Sequence, residues 1–183
     1  MAGPPIAGVG TVSCTFVGKA KIKPKLIIGG TTSPVVTKLG GKLTCSGGTL
    51  DGATVIAGKV KGLITNPGPN ANDCLGLAAG LPAFTATVKW KVSPGSPKLL
   101  PSTVNFAAGG PGDINLAGPG GSIALTINGV GAAGGSFVGS PIVAVAVTDE
   151  TLAAFTTACT PPSKGLKGFA FTGLNAPSTV DVQ

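Results

Sequence analysis

From Val12 to Leu26 the chain alternates its side chains with a period of two. Val12, Cys14, Phe16, Gly18, Ala20, Ile22, Pro24 and Leu26 fall on one side, and Ser13, Thr15, Val17, Lys19, Lys21, Lys23 and Lys25 on the other. Successive side chains point to opposite faces only in a strand, so this stretch specifies β-structure. The pattern recurs at 84–92, where Phe84, Ala86, Val88, Trp90 and Val92 oppose Thr85, Thr87, Lys89 and Lys91. At 58–64, Gly58, Val60, Gly62 and Ile64 oppose Lys59, Lys61 and the misfit Leu63. Further strands are expected near 35–45, 102–107, 113–117, 121–128, 135–147 and 165–172. Between them stand "GGT", "NPGPN", "SPGSP", "GGPGD", "GPGG" and "GAAGG", which read as turns.

The 31 glycines and 16 prolines of the 183 residues are thus punctuation between apolar runs. Disorder combines low hydropathy with high net charge, whereas the mean hydropathy here is +0.46 and only 10% of residues are charged. The expectation is an all-β fold, a single-domain antiparallel β-sandwich or β-barrel of nine or ten strands with at most one short helix. That helix is placed at 149–157, "DETLAAFTT", where Asp149 and Glu150 would begin it and suit its dipole. Residues 1–10 read as a flexible N-terminal segment, 11–174 as the β domain and 175–183 as a C-terminal tail. "NPGPNAND" at 66–73 reads as a loop tied down by Cys74. Pro24 cannot donate to a ladder, so it belongs on an edge strand or at a bulge. Lysines alternating beside it would keep such an edge from pairing with other chains.

Cys14, Cys45, Cys74 and Cys159 are separated by 31, 29 and 85 residues. None of these is the short spacing of a zinc site, and there is no histidine to complete one. The cysteines therefore read as disulfides and place the chain in an oxidising compartment. Of three connectivities, Cys14–Cys45 with Cys74–Cys159 is favoured because the first pair would clip neighbouring early strands. "MAGPPIAGVG" lacks the basic start and apolar centre of a signal peptide, which suggests that Met1 was added to a mature secreted chain. Apolar runs such as "PIVAVAV" at 141–147 fall short of the roughly 20 residues a spanning helix needs. A spanning barrel would need aromatic girdles, and the chain has one tryptophan and no tyrosine.

The ionisable inventory is poor. All 13 basic residues are lysine, against six acids, and histidine is absent. Ser-His-Asp and Cys-His catalysis are therefore excluded. No S-x-x-K occurs, and "SPGSPK" at 93–98 has the wrong spacing for serine–lysine chemistry. Asp149 and Glu150 are the only adjacent carboxylates, and they read as a helix start in preference to a glycosidase pair. "NPGPNAND" offers one charge, too few for a calcium site, and the glycine-rich "GGPGDINLAGPGG" has no phosphate-loop lysine. No enzyme activity, metal or cofactor is expected.

Charge is unevenly spread. Residues 1–91 carry ten lysines against Asp51 and Asp73, a balance of +8, and residues 92–183 carry three lysines against four acids, −1. If the strands bearing Lys19, Lys21, Lys23, Lys25, Lys59, Lys61, Lys89 and Lys91 were neighbours, these amines would share one anion-binding face, with Lys38 and Lys42 nearby. A nucleic-acid reader is disfavoured. There is no arginine to grip bases, and the alternation sends Phe16, Phe84 and Trp90 to the other side. The apolar strands "GSIALTING" and "FVGSPIVAVAVT" alternate little, as strands buried on both faces would, or strands around an apolar ligand.

The order of residues also resembles small secreted, cysteine-paired β-proteins of actinobacteria. The resemblance rests on Cys14 with Gly18 and Pro24-Lys25-Leu26, and on Gly41-Lys42-Leu43-Thr44-Cys45. It continues through Cys74-Leu75, Val88-Lys89-Trp90 and Gly135-Ser136-Phe137-Val138-Gly139 to Cys159, Gly165-Leu166-Lys167 and Phe171-Thr172-Gly173. It covers most of the chain and implies an exported protein with paired cysteines, carrying over no activity and no site residue. The functional expectation is a non-enzymatic exported structural or interaction protein at the cell surface, self-associating or bound to other surface proteins. The alternatives are a carrier of a lipid or other apolar ligand, and a binder of anionic polymers through the lysine face.

Overall fold

The alternation at 12–26 becomes strand β1 (Gly10–Leu26), whose even-numbered side chains from Val12 to Ile22 are buried apart from Gly18. The computed structural model describes residues 10–50 and 52–183, so the expected N-terminal segment lies outside the described residues except for Gly10. The chain continues through β2 (Val35–Leu50), β3 (Ala53–Asn66), β4 (Phe84–Val92), β5 (Ser102–Phe106) and the short β6 (Ile114–Asn115). Then follow β7 (Ser122–Gly131), β8 (Pro141–Thr151), helix α1 (Leu152–Cys159), β9 (Leu166–Phe171) and β10 (Ser178–Val182).

Among the described residues the named strands pair antiparallel throughout, and the order β1-β2-β3-β4-β5-β7-β8-β10 returns to β1. This is a closed eight-stranded barrel, the size at which the interior is either filled by side chains or holds one small ligand. β1 is long enough to serve two partners. Its Val12–Phe16 half pairs with β10 and its Gly18–Leu26 half with β9. The segment 175–183, expected as a tail, thus supplies the strand that closes the barrel. A second correction concerns 135–147: residues 135–140 form a turn and β8 begins only at Pro141.

Helix α1 also starts later than its acidic residues suggested. Asp149 and Glu150 remain on β8, and the N-cap is Thr151, whose hydroxyl accepts from the Ala154 N–H. The carboxylates act elsewhere. No ladder joins the end of β8 to β9; there Glu150 accepts from the Ala170 N–H (3.1 Å) and Asp149 from the Thr172 N–H (2.9 Å) and hydroxyl (2.7 Å). A charge-assisted clasp replaces strand pairing along this seam.

The disulfides are Cys14–Cys45 and Cys74–Cys159. The first joins residues directly opposite on β1 and β2. The second ties the end of α1 to the 66–83 connection, which crosses one end of the barrel. That connection is fastened further by buried Asn72, whose Oδ1 accepts from the N–H groups of Thr31 and Thr32, both at 2.8 Å. Its amide is thereby consumed in loop packing.

The two ends of the barrel are filled differently. At the end formed by late β2 and early β3, Leu43, Leu50, Val55 and Phe137 are at most 1% exposed. Trp90 Nε1 donates to Ser102 Oγ (2.7 Å), which donates to the Ser136 carbonyl (2.6 Å). Phe137 meets the Trp90 ring edge-on, with centroids 5.0 Å apart. The opposite end, beneath the 66–83 connection, is incompletely filled.

Candidate functional site

Small inward residues leave that space. Where β1, β3, β4 and β8 pass the 66–83 end, inward positions carry Ala20, Gly62, Ala86 and Ala146. The result is an apolar cavity of about 130 Å³, walled by residues that include Val60, Phe84, Phe106, Ile127, Phe169 and Phe171. Val60, Phe106 and Ile127 keep part of their surface accessible although they point into the barrel. An apolar cavity of about 150 Å³ stays dry and admits benzene or xenon. The space here is of that kind.

The predicted lysine residues come together on the outer surface. β1, β2, β3 and β4 are successive neighbours, so Lys19, Lys21, Lys23, Lys25, Lys59, Lys61, Lys89 and Lys91 share the outside of one barrel wall. β2 lies between β1 and β3, which puts Lys38 and Lys42 in the middle of this face. Lys21 stands directly opposite Lys38, and Lys42, Lys59 and Lys89 form one cross-strand row. No acidic residue occurs in any of the four strands. Phe16 and Phe84 are buried inside and Trp90 is engaged with Ser102, so the face has no aromatic platform from them.

The edge-strand reading of "KAKIKPKL" is corrected here, because β1 is paired on both sides over most of its length. Pro24 sits at an interruption. The β1–β9 register runs regularly to Lys21·Gly168 and resumes only at Leu26·Leu166, and pairing with β2 ends at Lys23·Val36. The missing proline donor therefore falls where no partner needs it. Outside this interruption is an open groove of about 780 Å³ lined by Lys21, Lys23, Lys25, Lys164 and Lys167 among others.

Sequence reasoning missed Lys164 and Lys167. Period two from Leu166 to Phe171 sets Lys167 on the same side as Phe169 and Phe171, yet Lys167 is exposed and both rings are buried. The flip occurs at Gly168, which lies so close to β1 that a Cβ there would come 2.0 Å from the Ala20 carbonyl oxygen. A glycine inside an alternating strand was the available signal of this bulge.

Asp149 and Glu150 line neither the cavity nor the groove. Burial works to raise the pKa of Asp149, but hydrogen bonds from the Thr172 hydroxyl and the N–H groups of Thr172, Leu174 and Gly173 outweigh it and hold the carboxyl below its ordinary value. A depressed carboxylate stabilises the fold above its unfolded pKa, and that contribution is lost as pH falls through the folded value. The β8–β9 seam should therefore weaken below about pH 4. The melting temperature of the Asp149→Asn variant should fall less between pH 5 and pH 2.5 than that of the parent; equal falls would refute the clasp.

No protein-family model matches the chain, and no curated protein or solved structure matches it. Among the described residues no group of three or more metal-ligating side chains is assembled, and no helix is long and apolar enough to cross a membrane.

Proposed function

We propose that the protein is an exported, non-enzymatic carrier that holds a small apolar ligand inside its barrel. The observation that carries this reading is the apolar cavity of about 130 Å³ within a closed eight-stranded wall. Two disulfides support the oxidising, extracellular setting. The self-associating structural role is set aside in its favour. Barrel closure leaves only the short strands β6 and β9 with an unpaired side, little edge for strand-to-strand assembly.

Benzene tests the reading. It should bind the parent and raise its melting temperature in a concentration-dependent way. Ala146→Leu places three more carbons in the cavity and should abolish this binding while stabilising the free protein by about 0.5–2 kcal/mol, or roughly 2–6 °C. Benzene that leaves the parent unmoved, or binds the variant equally, would reject the carrier role. Native mass spectrometry of the secreted protein should also show a co-purifying apolar ligand.

A second reading, recognition of an anionic polymer, is favoured by the register of the lysine face. Like charges directly opposite destabilise a sheet, so the Lys42–Lys59–Lys89 row is a cost to folding. Changing all three to glutamine should raise the melting temperature at low salt by about 1–3 °C while weakening binding to polyphosphate. Polyphosphate binding that ignores salt or survives the triple change would eliminate this reading.

A further inference from the structure

The interruption between β1 and β9 adjoins the cavity. Ile22 lines the internal space and the outer groove alike. From Ile22 to Lys25, β1 has only Lys167 opposite it between the paired positions. Five amines thus line the groove outside this interruption, and Ile22 is the residue that the groove shares with the apolar chamber.

We propose that this interruption is the way in, and the head-group site, for a medium-chain alkyl anion such as a fatty acid. Its carboxylate sits among Lys23, Lys25 and Lys167, and its chain passes Ile22 into the cavity. The inference rests on the carrier reading and specifies its ligand. A free inorganic anion would use the amines and leave the chamber unused. A neutral hydrocarbon would do the reverse. Only a molecule with both parts accounts for their adjacency.

The energetics agree. The charged end stays in an open, hydrated groove and avoids the large desolvation penalty of a buried ion. Each methylene taken into the chamber should improve affinity about fourfold. A space near the size that admits benzene accommodates about six carbons, which directs attention to chains of about six to ten.

The test compares octanoate, 1-octanol and acetate by titration calorimetry, on the parent and on the double variant Lys23→Gln/Lys167→Gln. At low ionic strength the parent should bind octanoate about tenfold more tightly than octanol, as several weak ion pairs together would provide. That gap should close in about 1 M salt, where the screening length is about 3 Å. It should also close in the variant, with octanol affinity unchanged, which shows the chamber intact. Equal affinities in the parent, or a gap that survives the variant, would overturn the proposal and leave the carrier reading standing. Acetate binding as tightly as octanoate would overturn it too, because the chain would then contribute nothing. If neither octanoate nor octanol binds while benzene does, the proposal is overturned and the carrier reading stands; if benzene fails as well, the carrier reading itself has failed.

Discussion

Replacing Cys74 and Cys159 together by serine should lower the melting temperature by about 10–15 °C. The bridge closes a loop of sequence separation 85, and the entropy it removes from the unfolded chain corresponds to about 4–5 kcal/mol. A domain of this size loses roughly 2–4 °C per kcal/mol. The bridge holds α1 to the connection that crosses the hollow end of the barrel, and Leu81 of that connection lines the cavity. Its loss should therefore weaken benzene binding as well as stability. Cys14–Cys45 spans only 31 residues between strands that the β1–β2 ladder already pairs. Removing it should cost less, about 3–4 kcal/mol, and leave the cavity unaffected. Scanning calorimetry of the two double variants checks the order; a Cys74/Cys159 shift smaller than the Cys14/Cys45 shift would contradict the assignment of the longer bridge as the principal tether.

Phe137 should be the most sensitive apolar side chain at the packed end. It is fully buried, its ring meets Trp90, and its backbone has φ of +60°. Phe137→Ala removes the ring and should destabilise by about 3–5 kcal/mol. Phe137→Gly removes slightly more but relieves the left-handed backbone, for which a Cβ costs about 1–2 kcal/mol. Glycine should therefore be the less damaging replacement by about 1 kcal/mol, the reverse of the order expected from side-chain size. Denaturant unfolding measures this directly, and an alanine variant more stable than the glycine variant would refute it. Phe137 does not line the cavity, so a folded variant should keep its benzene affinity.

The lysine face and the cavity were legible to different degrees. Alternation at 12–26, 58–64 and 84–92 assigns each side chain to a face, and Lys19, Lys59 and Lys89 could be placed outward before any strand was paired. That β2 separates the other lysine strands, making Lys42 central, depends on pairing order. Ala20, Gly62 and Ala86 could each be read as inward-facing and small, whereas the weakly alternating run 141–147 assigns no face to Ala146. That the four meet around one empty volume could not be read, because a void is a property of what lies opposite. Asp149 and Glu150 illustrate the limit most directly. Their local sequence suits a helix start, and hydrogen bonds to residues 170–174 hold them at the end of a strand instead.

The sequence by itself determined that the chain is built from antiparallel strands, which residues of 12–22, 58–62 and 84–88 face inward, that its cysteines pair, and that histidine-based catalysis is absent. Each of these follows from composition or from the two-residue repeat of extended backbone, which is a local property. The tertiary structure alone decided that the sheet closes into a barrel through residues 178–182, that one end is packed and the other hollow, and that lysines 23 and 167 stand at an interruption of the β1–β9 pairing beside the hollow end. Those outcomes depend on register and on volumes summed across strands distant in sequence, and no local pattern encodes them.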